Sequence, residues 1–128
     1  MSDVAETPYD LLGGEAGVRA LVDKFYDIMD EAPYAKDIRA MHGPDLAPMR
    51  DRLFWFLSGW LGGPQIFFDK RPGVCIRSAH GPFAIGPDER DAWLRCMLSA
   101  LDEVTPRPEA RQLLEQPFFR IADMLRSK

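Results

Sequence analysis

Four stretches of this chain repeat apolar residues every three or four positions, and glycine or proline stands beside each of them. In residues 15–30 the repeat is Val18, Leu21, Val22, Phe25, Ile28 and Met29, which lines one face of an α-helix and leaves the other polar. Gly13-Gly14 before it marks a tight reversal, and Pro33 after it stops the helix. A short helix or turn is expected over 34–41, followed by the loop His42-Gly43-Pro44-Asp45. The next helix, 46–61, carries a wide aromatic stripe of Leu46, Met49, Leu53, Phe54, Phe56, Leu57, Trp60 and Leu61, and Gly62-Gly63-Pro64 breaks it.

Residues 65–78 then show neither a period of 3.6 nor one of 2. Compact domains seldom carry an unpatterned segment this long, so it is expected to have functional work or to wrap something. Patterning resumes at Gly86-Pro87-Asp88-Glu89, where proline lacks the donor a first turn cannot satisfy and the two carboxylates suit the positive end of the helix dipole. That helix carries Trp93, Leu94, Met97, Leu98, Leu101 and Val104. Pro106 and Pro108 separate it from a last helix over 109–125, with Leu113, Leu114, Phe118, Ile121 and Leu125 expected inward and Pro117 expected to kink or interrupt it. No segment reads as a strand, so the predicted fold class is all-α.

At 128 residues the chain has room for one domain, 1–128, with a substantial core. Its net charge of -4 argues against a nucleic-acid or anionic-membrane partner, because phosphate binding needs a concentrated Lys/Arg surface. The opening ten residues carry Asp3, Glu6 and Asp10 without an apolar run, and no segment approaches the length of a membrane span, so a cytoplasmic location is expected.

Phosphate-cradling Gly-x-x-x-x-Gly-Lys runs, His-Glu-x-x-His pairs, Gly-x-Ser-x-Gly elbows and zinc-finger cysteine spacings are all missing. Two histidines, His42 and His80, rule out a multi-histidine metal site. What remains is a site that needs one strong nitrogen ligand. His80 lies in Arg77-Ser78-Ala79-His80-Gly81-Pro82-Phe83-Ala84-Ile85, between the unpatterned segment and the helix bearing Trp93. A haem iron needs one fixed neutral imidazole and an apolar slot around the macrocycle, which Phe83, Ile85, Met97 and the aromatic helix could line. Without Cys-x-x-Cys-His, covalent attachment of such a haem is excluded; Cys96 reads as a helix-core residue and Cys75 as a loop residue, with a disulfide between them the alternative. From spacing alone a lone histidine is more often structural or superficial, and Tyr26, at the edge of the first stripe, reads equally as a core-edge tyrosine or as a donor into a pocket. Trp93, whose buried indole would require a partner, and His42 carry the same two readings.

Leu11-Leu12-Gly13-Gly14, Phe25-Tyr26, Phe56-Leu57 with Gly62-Gly63-Pro64, His80-x-Pro82-Phe83-x-Ile85, and Glu89-Arg90-Asp91-Ala92-Trp93-Leu94-x-Cys96-Met97 together resemble the truncated haemoglobins, most closely their second group. The resemblance spans nearly the whole chain. It implies a globin-like, truncated two-over-two helical sandwich around a non-covalent haem b, with the unpatterned segment lying where a full-length globin carries most of its proximal helix. It implies His80 as the proximal ligand, Tyr26, Trp93 and His42 lining the distal pocket, and Met49 and Leu53 facing the haem, with Phe56, Phe83, Ile85 and Met97 as further cofactor contacts. His42 stands where relatives often have Phe or Tyr, which implies a more polar pocket. Two positions depart from the family pattern: Ala79 replaces an arginine before the proximal histidine, and Phe67 replaces a phenol after Gly-Gly-Pro. Arg77 is then the candidate partner for a haem propionate.

Three functions are open on this basis: a protein that binds, stores, transports or senses dioxygen, with CO and NO as further ligands; a haem enzyme of peroxidase or nitric oxide dioxygenase type served by a reductase; or a haem-free helical interaction module. Either a monomer or a homodimer is expected.

Overall fold

The computed structural model describes residues 7–42, 44–66, 85–105 and 107–125. Among them there is no strand. The first element of the described residues is a one-turn helix α1, Pro8–Leu11, that the apolar pattern does not announce. Its nucleus is a capping box: the Asp10 amide donates to Thr7 Oγ1 at 3.1 Å and the Thr7 amide donates to Asp10 Oδ2 at 3.3 Å. Tyr9 N–H then donates to the Leu61 carbonyl at 2.9 Å, fixing this turn to the far end of the aromatic helix.

Gly13 and Gly14 reverse the chain at φ values of 101° and 69°, conformations that a residue with a Cβ adopts only at a cost. The first long helix, α2, runs Gly14–Glu31 and buries Val18, Leu21, Val22, Phe25 and Met29, as its stripe requires. Tyr26 is buried as well, and Ile28 only partly so; the buried face is therefore rotated slightly toward Tyr26. A 3-10 turn, Pro33–Ala35, and a short helix α3, Lys36–Ala40, occupy the expected region after Pro33.

Helix α4 is Ala47–Trp60, with the Ala47 amide donating to Asp45 Oδ1 at 3.0 Å at its start. Phe54, Leu57 and Leu61 are its deep apolar contacts, while Met49, Leu53, Phe56 and Trp60 are partly buried. Ser58 is fully buried, satisfied by donating to the Pro64 carbonyl at 2.8 Å, and this closes the Gly62-Gly63-Pro64 turn against the helix. Helix α5, Pro87–Val104, begins where the Gly-Pro-Asp-Glu pattern places it; the Gly86 amide donates to Glu89 Oε1 at 2.6 Å. Cys96 lies in the core of α5 as a free thiol, as its sequence position suggests.

Helix α6, Pro108–Met124, differs from expectation in two ways. It continues through Pro117 without a break. The carbonyl that loses its donor there belongs to Leu113, whose residue is 51% exposed, so water is at hand to replace the bond. Leu113 is consequently not inward. The buried positions are Ala110, Leu114, Phe118 and Ala122, a strict i, i+4 row from which Leu113 is rotated by about 100°.

The core is one continuous cluster. Helix α2 packs on α5 and on α4, α5 packs on α6, and α1 wedges against α2 and α6. Two helices thus lie over two, with α2 and α5 sharing the centre.

Candidate functional site

Tyr26, Trp93 and His42, drawn from α2, α5 and the turn after α3, are linked through ring contacts, the first two to Phe25 and His42 to Tyr26. Phe25 packs edge-on to Tyr26 at a centroid distance of 4.9 Å and to Trp93 at 5.4 Å, and Tyr26 meets the His42 ring edge-on at 5.9 Å. The helical period explains the first pair: consecutive residues diverge by about 100°, so Phe25 faces the α5 contact while Tyr26 turns toward α3 and α4. Trp93 is further backed by Phe118 at 6.1 Å.

The polar ends of these side chains have distinct states. Tyr26 is 5% exposed, and burial pushes its phenol far above the ordinary value near 10 despite the opposing charge of Arg50, so the group is a neutral O–H donor. Neither its hydroxyl nor the Trp93 indole N–H has a hydrogen-bond partner among the described residues. No fully buried side-chain nitrogen or oxygen among those residues is left unsatisfied, so both donors end at accessible surface rather than inside packed side chains. His42 Nδ1 lies 2.8 Å from the Ile38 carbonyl, which can only accept; Nδ1 therefore carries the proton, and in the neutral ring Nε2 is an acceptor. His42 is thus suited to orient a phenol or a water, a narrower role than direct donation.

Apolar walls come from the same two layers. Met49, Leu53 and Phe56 of α4 are partly buried against the core, Ile85 is partly buried just before α5, and Met97 is fully buried on α5. His80, Arg77 and Phe83, with Ala79, Phe67 and Cys75, lie outside the described residues. Arg50 is a site residue that the sequence reading does not find. Its guanidinium lies over the Tyr26 ring, with Cζ 5.8 Å from the centroid, while Nη2 reaches Asp27 Oδ1 at 2.8 Å and Nη1 reaches the Asp23 carbonyl at 2.9 Å. A polar residue on a polar helix face carries no periodic signal, and only the crossing of α4 over α2 brings it to the phenol.

The sequence matches the bacterial-like globin family over residues 7–127. It is 33% identical over 114 residues to the group 2 truncated haemoglobin YjbI of Bacillus subtilis, an alignment covering 89% of this chain and 83% of that protein. Among solved structures, the cold-adapted truncated haemoglobin of the Antarctic marine bacterium Pseudoalteromonas haloplanktis is 43% identical with a TM-score of 0.91, over 95% of this chain and 98% of that one. The group II 2-on-2 haemoglobin of the plant pathogen Agrobacterium tumefaciens is 37% identical with a TM-score of 0.92, over 99% and 98% of the two chains. This chain therefore belongs to the bacterial-like globin family, and within that family it is a group II truncated haemoglobin. Membership implies a haem cofactor and haem-based binding of small gases. The residues present fit such a group: two donors without a partner among the described residues, an acceptor, and the partly buried Met49, Leu53 and Phe56 of α4.

Proposed function

We propose that this protein binds dioxygen reversibly at a non-covalent haem b held by His80, and releases it slowly. The observation that carries this reading is the pair of donors, the Tyr26 O–H and the Trp93 N–H, both packed on Phe25 and both without a hydrogen-bond partner among the described residues. When bound, the haem would supply an iron able to take up dioxygen, CO or NO, with His80 as the residue that would hold it. Tyr26 keeps its proton throughout the physiological range and donates to a gas that draws negative charge onto its outer atom; Trp93 donates from the α5 side. His42 Nε2 accepts, which lets it hold a water that in turn donates to the phenol oxygen and leaves the Tyr26 O–H for the gas. Met49, Leu53, Phe56, Phe83, Ile85 and Met97 exclude water from the macrocycle, and Arg77 pairs with a propionate. Because an N–H or O–H bond to a group bearing charge contributes about 1.5–3 kcal/mol, loss of one such bond speeds release roughly ten- to hundredfold.

This reading places the protein in the cytoplasm, where a reductase returns the iron to the ferrous state. Among the described residues no helix is long and apolar enough to cross a membrane.

The test begins with the absorption spectrum of protein supplied with haem, oxidised and then reduced under CO. An intense Soret band that shifts with CO in the wild type and is lost or altered in His80→Ala is expected; a folded protein that takes up no haem overturns the reading. Stopped-flow dioxygen release from Tyr26→Phe and Trp93→Leu then tests the donors, and unchanged off-rates in both would sink the slow-release assignment. Sustained turnover of peroxide or of nitric oxide would replace storage with catalysis by the same donors.

A further inference from the structure

Asp23, Tyr26 and Asp27 stand at i, i+3 and i+4 on α2 and so share one face of that helix. Across from them, a single side chain of α4 meets all three. Arg50 reaches Asp27 Oδ1 at 2.8 Å, Asp23 Oδ1 at 3.4 Å and the Asp23 carbonyl at 2.9 Å, and its guanidinium covers the Tyr26 ring at 5.8 Å. A second bridge between the same helices runs from Arg19 to Asp51 at 2.7 Å, and Arg19 also approaches Asp23 at 3.9 Å. The charged groups around Tyr26 are therefore organised, with Arg50 at the centre and oriented by acceptors on both sides.

The geometry points to Arg50 as a positioning residue that holds the Tyr26 phenol in its donating orientation and latches α4 to α2 beside the gas-binding face. This inference rests on the proposed role of Tyr26 and adds a residue to it. Two physical steps carry it. A planar guanidinium fixed by a fork of carboxylate and carbonyl oxygens has little freedom left, so the ring it covers is confined between Phe25, His42 and a fixed cation. Arg50 also directly follows Met49 and lies one turn before Leu53, so the same contacts pin the stretch of α4 that walls the pocket.

The side chains of Asp23 and Asp27 are 45% and 51% exposed while that of Arg50 is 24% exposed, which leaves the latch open to partial screening. Dioxygen release is therefore faster in high salt than in low salt. Arg50→Met releases gas about three- to tenfold faster than wild type and loses most of the salt dependence. Arg50→Lys falls between the two, because a point charge cannot reproduce the planar fork.

The experiment uses the haem-loaded full chain: wild type, Arg50→Met, Arg50→Lys, Asp27→Asn, Tyr26→Phe and the Tyr26→Phe/Arg50→Met double variant. Release rates are measured across ionic strength, together with melting temperatures. In the ferrous CO form, ring-flip exchange of Tyr26 is followed by NMR with 13C-labelled tyrosine, a readout independent of dioxygen chemistry. The expected result is faster flipping and faster release in Arg50→Met, and no additional acceleration by Arg50→Met once Tyr26 is already Phe. Should Arg50→Met fail to fold, Asp27→Asn cuts the same fork and is expected to shift both readouts in the same direction. A lower melting temperature with release and flipping unchanged would make Arg50 merely structural and overturn the inference. If Tyr26→Phe itself leaves release unchanged, the donor assignment fails instead, and the ring-flip arm still decides whether Arg50 confines the phenol.

Discussion

A tyrosine next to a stripe residue is ambiguous by period alone, and the side chain that resolves the ambiguity here lies on another helix. Position 26 was legible as the edge of a helical face, and Trp93 as an indole requiring a partner; that neither donor finds a partner among the described residues was not, because it depends on where Phe25, α3 and α4 end up in space. The buried phenol has a consequence for stability. Its folded-state pKa is raised by burial, so below the ordinary value near 10 it is neutral in both folded and unfolded chains and contributes nothing against folding. Above pH 10 the unfolded phenol ionises while the folded one cannot, the unfolded state binds fewer protons, and stability falls as pH rises. Tyr34 and Cys96, both raised chiefly by burial, act in the same direction. Chemical denaturation between pH 9 and about 11 is therefore expected to show a steeper loss of stability in wild type than in Tyr26→Phe. Equal slopes would mean the phenol is solvated in the folded protein.

Between residue and fold, the helices themselves were the readable part of the chain. Bounds expected at 15–30, 46–61 and 109–125 became Gly14–Glu31, Ala47–Trp60 and Pro108–Met124, because period and proline or glycine punctuation are local signals. Local reading fails where a neighbour decides. Helix α1 rests on one capping box and on the Leu61 carbonyl, and too few residues lie within it to display a period. Gly17 shows the same dependence. Inside a helix, Gly→Ala ordinarily stabilises by roughly 1 kcal/mol. Here a Cβ at residue 17 would collide with the Leu12 carbonyl oxygen, so α1 and the Gly13-Gly14 reversal would have to move away from α2. Gly17→Ala is expected to lower the melting temperature, opposite in sign to what helix propensity gives. An increase in melting temperature would show that the α1–α2 junction yields freely and that this close approach is not needed.

At the scale of the whole molecule, burial is unevenly distributed, and the unevenness bears on what haem does for the fold. Val18, Leu21, Phe25, Leu101 and Phe118 are fully buried where α2, α5 and α6 meet. Met49, Leu53, Phe56 and Trp93 are only partly buried, and they lie on the side assigned to the cofactor. A core complete on one side and open on the other should survive loss of the ligand with its helices assembled but with less total stability, because the open face then meets water. Ligand bound only by the folded state adds stability as the logarithm of its concentration over its Kd, about 1.4 kcal/mol for each tenfold excess. Haem-free protein is thus expected to keep most of its helical circular dichroism at 25 °C and to melt cooperatively at a lower temperature than the haem-loaded form. Added haem should raise that midpoint progressively in wild type, and far less in His80→Ala. A haem-free chain without helical signal would show that the α2–α5–α6 core cannot stand alone, and that folding and haem capture are one event. Identical melting with and without haem would show that the half-buried face is not where the cofactor sits.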